Sequence, residues 1–333
     1  MRPMGDGKRV ALALGSGGAR GYAHIGVISE LHERGYDIVG VAGSSMGALV
    51  GGLHAAGALD GFTDYAKSLS GRAVLRLLDP TWTGAGVFRA EKVLDVVRDL
   101  LGEVQIENLP IPYTAVATDL IAGKSLWLQR GPLDVAIRAS IAIPGVIMPY
   151  TYEGRVLADG GILDPLPVSP LAGANADVTL AVSLNGGDPD AYRRTETEPR
   201  AGTDWLNRVM RGTSALLETS TARSVLGRFT TSVDPDADEE TDDDEGDLEP
   251  AAMVPRLRSF EVMNRTIDVM QGALARHQLA SYPPDVLVEV PRNTCRSLDF
   301  HRAAEVIDVG RRLAVRALDA YEADGAEDTG ASA

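Results

Sequence analysis

The chain has 333 residues but only one cysteine, Cys295, and only 5% aromatic residues. A lone cysteine excludes an intramolecular disulfide, and nothing in the composition argues for an oxidising compartment. No local signature of a catalytic thiol surrounds Cys295. Basic excess is also missing. The net charge is −15, and 11 of the acidic residues lie between Asp234 and Glu249, where there is no Lys or Arg. Without that tract, 36 acidic residues face 32 basic ones, a net of −4, so the folded body is mildly acidic and has no basic footprint for nucleic acid. The tract itself reads as a solvated, disordered loop spanning 233–250. An apolar run long enough to cross a membrane is lacking as well. Ile38 to Leu59 carries no ionised side chain over about a membrane span, but Gly43-Ser44-Ser45 breaks it and four further glycines follow before Leu59. Met1 to Lys8 has no apolar core or cleavage site of a secretion signal. A cytoplasmic protein, with membrane contact at most peripheral, is expected.

What the chain does have is glycine, 36 residues of it, and an apolar content of 44% with mean hydropathy near zero. Strand-like and helix-like segments alternate through the first half. Val10–Leu14, Ile38–Ala42, Tyr113–Ala117, Ser125–Gln129, Gly154–Leu157 and Val178–Leu184 read as strands. Helices are expected from His24 to near Gly35, from about Ser45, over Asp60–Ser70, Ala90–Leu101 and Leu133–Ala142, and near Val168–Ala172. This alternation implies an α/β architecture with a mostly parallel sheet and helices on both faces. The second half reads as helices over 204–229, 256–278 and 300–321, with one late strand over 286–290. The organisation expected is a tail 1–8, a catalytic core 9–187, a helical part 188–322 that completes the same domain, and a disordered tail 323–333. Ala73 to Phe88, with Leu75, Leu77, Trp82 and Phe88, is either a mobile membrane-facing flap or ordinary core.

Gly43-Ser44-Ser45-Met46-Gly47 matches G-x-S-x-G between an apolar strand and a small-residue helix. In that context the turn is tight and strained, the serine hydroxyl stands exposed, and the helix start supplies unpaired N–H groups. The alternative is a Ser-Gly turn needed only for packing. After the first strand comes Gly15-Ser16-Gly17-Gly18-Ala19-Arg20-Gly21. Such a loop exposes backbone N–H groups and can act as an oxyanion hole, where losing one donor costs about 100- to 1,000-fold in rate. A dinucleotide fingerprint does not fit. Counted from Gly15 its last glycine falls on Arg20, and counted from Ser16 its first is missing. The ribose-binding acidic residue at the end of the next strand is absent too.

A serine nucleophile needs a base. His24, His32 and His54 fall inside helices, while His277 or His301 could complete a Ser…Asp…His order. Neither follows a strand on a short loop, where that histidine is expected. Asp159, in Leu157-Ala158-Asp159-Gly160-Gly161 at a strand end, is the more economical base, although an Asp-Gly-Gly can simply cap a turn.

Taken together, Val10 to Val27, Gly43 to Gly47 and Asp159-Gly160-Gly161 resemble the bacterial patatin-like phospholipases. Ala117-Thr118-Asp119-Leu120, Arg138 to Pro144 and, more weakly, Ser297-Leu298-Asp299-Phe300 add to the resemblance, which covers about Arg9 to Asn185. It implies a three-layer α/β/α patatin-like fold and a Ser-Asp dyad without histidine: Ser45 as nucleophile and Asp159 as general base. It implies an oxyanion hole from the N–H groups of Gly17, Gly18 and Met46. Gly15, Ser16, Arg20, Gly21, Gly43, Gly47, Gly160 and Gly161 are the motif and substrate-binding positions. Arg20 would stiffen the glycine loop or meet a phosphate headgroup, and Ser16 replaces the usual first glycine. Lipid acyl esters are the substrates implied, with no cofactor and no metal. A soluble carboxylesterase or thioesterase and a non-catalytic patatin-like regulator are the alternatives.

Overall fold

Val10-Ala11-Leu12-Ala13-Leu14 alternates large and small apolar residues, and a strand sends alternate side chains to opposite faces. In the computed structural model, which describes residues 7–77, 91–187 and 259–330, this pattern decides the layering. Val10, Leu12 and Leu14 enter the main core, whereas Ala11 and Ala13 enter a thinner core on the other face. The predicted helix 204–229, the acidic loop 233–250, residues 78–88 of the predicted flap, and 1–6 of the tail lie outside the described residues. So do 256–258 and 331–333.

The strands are β1 (Arg9–Leu14), β2 (Asp37–Ser44), β3 (Tyr113–Asp119), β4 (Lys124–Leu128), β5 (Tyr150–Tyr152), β6 (Arg155–Asp159), β7 (Val178–Gly186) and β8 (Val286–Pro291). One sheet joins them in the order β5-β6-β3-β2-β1-β7-β8, with β4 also on β3. The run β3-β2-β1-β7-β8 is parallel throughout. Antiparallel pairing gathers at the β3 end, where β4 and β6 pair with β3 and β5 pairs with β6. The short strand β5 has no apolar alternation that would announce it, because its residues are only partly covered.

The helices are α1 (Ala23–Glu33), α2 (Met46–Ala55), α3 (Leu59–Ser68), α4 (Gly71–Leu77), α5 (Glu91–Leu101), α6 (Leu133–Ser140), α7 (Ser259–Ser281) and α8 (Ala303–Gly330). Two expectations need correction. The helix expected over 168–172 is only a 3-10 turn, Ser169–Leu171, because Pro165, Pro167 and Pro170 remove amide donors. The tail expected to be disordered from 323 is helical through Gly330. Once a helix is nucleated by packing, each added residue gains a bond at little cost, and Ala and Glu are good formers. Residues 73–77 of the predicted flap belong to α4. Among the described residues no helix is long and apolar enough to cross a membrane.

Helices α1 and α8 cross backbone to backbone. A Cβ at Gly26 would lie 2.1 Å from the Ile307 carbonyl oxygen, and one at Gly310 would lie 2.1 Å from that of Ala23. The reciprocal glycines bring α8 against α1, and Tyr22, at the start of α1, stacks edge-on against Phe300. Overfilling a packed contact of this kind costs about 1–3 kcal/mol. Gly310→Val is therefore expected to lower the unfolding free energy by at least about that amount in urea titrations. A change within error would show that the two backbones do not meet there.

Candidate active site

Strand β3 brings the two predicted catalytic residues together. Val116 pairs with Trp127 of β4 on one side and with Ser44, the last residue of β2, on the other. The next residue, Ala117, pairs with Leu126 of β4 and, on the side β2 has just left, with Asp159 at the end of β6. Strands β2 and β6 therefore run towards each other along one edge of β3, and their C-terminal ends abut. Ser45 Oγ donates a 2.5 Å hydrogen bond to Asp159 Oδ2, across 114 residues of sequence.

The local backbone explains why these ends point inward. Ser45 has φ 56° and ψ −122°, a left-handed conformation that costs a non-glycine residue about 1–3 kcal/mol. Its neighbours make that turn feasible. A Cβ at Gly43 would meet the Gly47 carbonyl oxygen at 2.3 Å, and one at Gly47 would meet that of Leu14 at 2.1 Å, so α2 can start directly above β1 and β2 only with glycine at both positions. Ser140 pins the turn: its Oγ accepts the Ser45 N–H at 2.9 Å and donates to the Val116 carbonyl at 2.6 Å. Ser44 Oγ donates to the Asp164 carbonyl at 2.5 Å, tying the end of β2 to the loop after Asp159.

Asp159 is 2% exposed, as is Ser45, so the serine expected to stand exposed at its turn is instead buried. Asp159 Oδ1 accepts the Gly161 N–H at 2.7 Å, its backbone N–H donates to Ala142, and its carbonyl accepts Thr118 Oγ1 at 2.9 Å. Burial pushes its pKa up to about 6, opposed by hydrogen bonds from Ser45, Gly161 and Ser16. The carboxylate thus sits where it can exchange a proton near neutral pH. Asp164 behaves similarly: burial raises it to about 6 while Gln278 Nε2 donates to its Oδ1 at 2.8 Å.

The glycine loop lies alongside. The amides of Gly15, Ser16 and Ala19 donate to Val182, Pro165 and Ser297. Those of Gly17, Gly18 and Met46 donate to no acceptor among the described residues, and Met46 opens α2 directly after Ser45. Gly18 is left-handed with φ 56°, and a Cβ there would meet the Ser297 carbonyl oxygen at 2.4 Å. Arg20, 3% exposed, donates through Nε to the Gly17 carbonyl at 3.2 Å and through Nη2 to Asp268 of α7 at 3.0 Å. Both of these Arg20 contacts are internal to the protein. Ser16 sits beside Gly161, where a Cβ would come 2.4 Å from its Oγ, and its backbone is not left-handed. Gly21 and Gly160 are close approaches of the same kind, to Met46 and to the Val116 carbonyl. His24 is buried with Nε2 2.9 Å from the Gly15 carbonyl oxygen, and burial lowers its pKa to about 4.

His277 and His301 are exposed, on α7 and just before α8, and neither is bonded to Ser45. Ser140, Asp268 and Gln271 were not singled out from the sequence. Ser140 lies in the Arg138–Pro144 block that carries part of the resemblance, so a signal was present without a role attached. The two α7 residues had no local signal at all.

Comparison with known proteins identifies the family. The model of the patatin-like phospholipase family matches residues 12–172. Chains from Mycobacterium bovis and Mycobacterium tuberculosis, both described as uncharacterized NTE family proteins, are 61% identical over 97% of this chain and 95% of theirs. The lysophospholipase nte1 of Neurospora crassa is 34% identical over 56% of this chain, though that match spans 13% of the fungal protein. The chain belongs to the patatin-like phospholipase family, a family of lipid-hydrolysing enzymes, and has its α/β fold. Within it, the mycobacterial NTE family proteins are near full-length relatives.

The Asp159 pKa couples the site to stability. A folded-state value of about 6 against an ordinary 3.8 means that the folded chain holds this proton more tightly than the unfolded chain does. The group therefore favours folding most below about pH 4 and costs stability as pH rises through 6, by about 3 kcal/mol at full ionisation. Asp159→Asn is expected to be more stable than the parent at pH 8, by about 1–3 kcal/mol, and equal to it at pH 4 in denaturant titrations. A variant less stable at pH 8 would contradict the burial cost. His277→Ala and His301→Ala should each retain ester hydrolysis within about twofold; a collapse in either would restore a histidine as the base.

Proposed function

We propose that the chain is a lysophospholipid-type acyl hydrolase that works through an acyl-Ser45 intermediate, with Asp159 as general base. The observation that carries this reading is the 2.5 Å hydrogen bond from Ser45 Oγ to buried Asp159, at an elbow with φ 56°. Ser45 Oγ attacks the ester carbonyl carbon as its proton passes to Asp159. The carbonyl electrons move onto oxygen, and the N–H groups of Gly17, Gly18 and Met46, which have no acceptor among the described residues, offer preorganised donors for that oxyanion. Collapse of the tetrahedral species expels the alcohol, which takes the proton from Asp159. Water then adds to the acyl-serine with Asp159 again accepting the proton, and the free acid leaves as Ser45 is restored.

Several features support the dyad over an ordinary triad. Both oxygens of Asp159 are engaged, one by Ser45 and one by Gly161, so the carboxylate is held in line with the hydroxyl without an intervening imidazole. Its raised pKa suits a base that must release the proton again to the leaving alcohol. The lipid-ester reading follows family membership, and the fungal relative is a lysophospholipase by name.

A fluorophosphonate probe should label the wild-type chain and fail to label Ser45→Ala. Hydrolysis of lysophosphatidylcholine should drop at least about a thousandfold in Ser45→Ala and in Asp159→Asn, both folded by circular dichroism. In the parent, kcat/KM should rise as pH increases through about 6, where Asp159 ionises. Full activity in either variant would remove the assigned roles.

A further inference from the structure

Helix α7 crosses the site beside the glycine loop and places Asp268, Gln271, Gly272 and Arg276 within about two turns. Asp268 is committed to Arg20. Gln271 is buried, and its Nε2 would lie 2.7 Å from a Cβ at Gly161. At Gly272 there is no side chain, and the space is filled from another element: a Cβ there would fall 1.9 Å from Nη2 of Arg292 and 3.7 Å from Nη1 of Arg276. Two guanidinium groups therefore converge on one spot of α7. Neither forms an ion pair among the described residues, and Arg292 Nε is a buried donor with no acceptor.

Position adds to the case. Arg292 directly follows β8 and donates its backbone N–H to Gly186 at the end of β7, so it stands at the carboxyl ends of the parallel strands, as Ser45 does. Ligands of open α/β sheets bind at that end. Five residues later in the same loop, Ser297 accepts the Ala19 N–H and backs Gly18. Burial lowers the Arg292 pKa; Asp268 alone opposes this, while Arg20, Arg276 and Arg265 push in the same direction. An anion between them would relieve the repulsion of these like charges, and paired guanidiniums present forked donors that match phosphate oxygens.

We propose that Arg292 and Arg276, converging over Gly272 next to the glycine loop, form a subsite for the phosphate of the substrate, so that the enzyme prefers acyl esters carrying a glycerophosphate group over neutral glycerides. This rests on the acyl-hydrolase reading of Ser45 and names the side chains that select its phospholipid substrate. Arg20, locked between Gly17 and Asp268, supplies charge behind the subsite and no contact in it.

Two measurements test it separately from catalysis. In hydrolysis, lysophosphatidylcholine and a monoacylglycerol of the same chain length are compared, both below their aggregation concentrations. The preference for the phospholipid should fall about tenfold in Arg276→Gln, an exposed position that should fold normally, and further in the Arg276→Gln/Arg292→Gln double variant. In binding, the uncleaving Ser45→Ala chain should bind lysophosphatidylcholine more tightly than the monoacylglycerol, and the arginine substitutions should abolish that difference. This second arm reads the subsite even if the chain hydrolyses neither lipid, an outcome that would sink the acyl-hydrolase reading alone. Equal binding of the two lipids by Ser45→Ala overturns the proposal. So does an equal loss for both lipids on substitution, which would mark a structural role. Inorganic phosphate supplies the last arm. If it binds in an arginine-dependent way while lipid preference is unchanged, the cluster takes free phosphate and the proposal fails.

Discussion

Everything at this site depends on two strands ending against each other. Strand β2 leaves the edge of β3 at Val116 and β6 joins it at Ala117, so that Ser45 and Asp159 occupy adjacent positions on one hydrogen-bonded frame. A carboxylate buried to this degree is costly, and it is tolerated because a hydroxyl and an amide donate to its two oxygens. The same burial lifts its pKa to about 6. Burial of this carboxylate and the positive φ of Ser45 both cost stability.

The surrounding residues maintain that frame. Ser140 bonds the Ser45 amide, Thr118 holds the Asp159 carbonyl, and Ser44 links β2 to the segment after Asp159. Arg20 and His24 brace the glycine loop through the carbonyls of Gly17 and Gly15, and the N–H groups of Gly17 and Gly18 have no acceptor among the described residues. Each of these bonds acts on backbone geometry, so the glycine-rich loop is held at several points. Helix α7 closes the arrangement by anchoring Arg20 through Asp268 and by accepting Arg292 against Gly272.

Much of this was legible in the chain itself. The alternation in Val10–Leu14, the glycine loop and the Gly43–Gly47 turn are short-range patterns, and each appears where the periodicity put it. The short helix expected at 168–172 is only a 3-10 turn, because three prolines outweigh its apolar spacing. Strand β5 escaped notice because it is too short and too exposed to show a period. The helical end of α8 was misread from its polarity, which says little once a long helix has been nucleated.

By itself the sequence determined most of the regular elements, the strained serine turn and the glycine loop, because these follow from local backbone preferences and from hydrophobic spacing within a few residues. Choosing among Asp159, His277 and His301 needed more than local pattern, and family resemblance pointed to the aspartate. Only the tertiary structure decided that Asp159 lies within hydrogen-bonding distance of Ser45, that Ser140 holds the turn, and that Arg276 and Arg292 meet over Gly272. Those are contacts between residues far apart in the chain. They are set by strand order and register, and no window of sequence encodes which strand ends will share an edge.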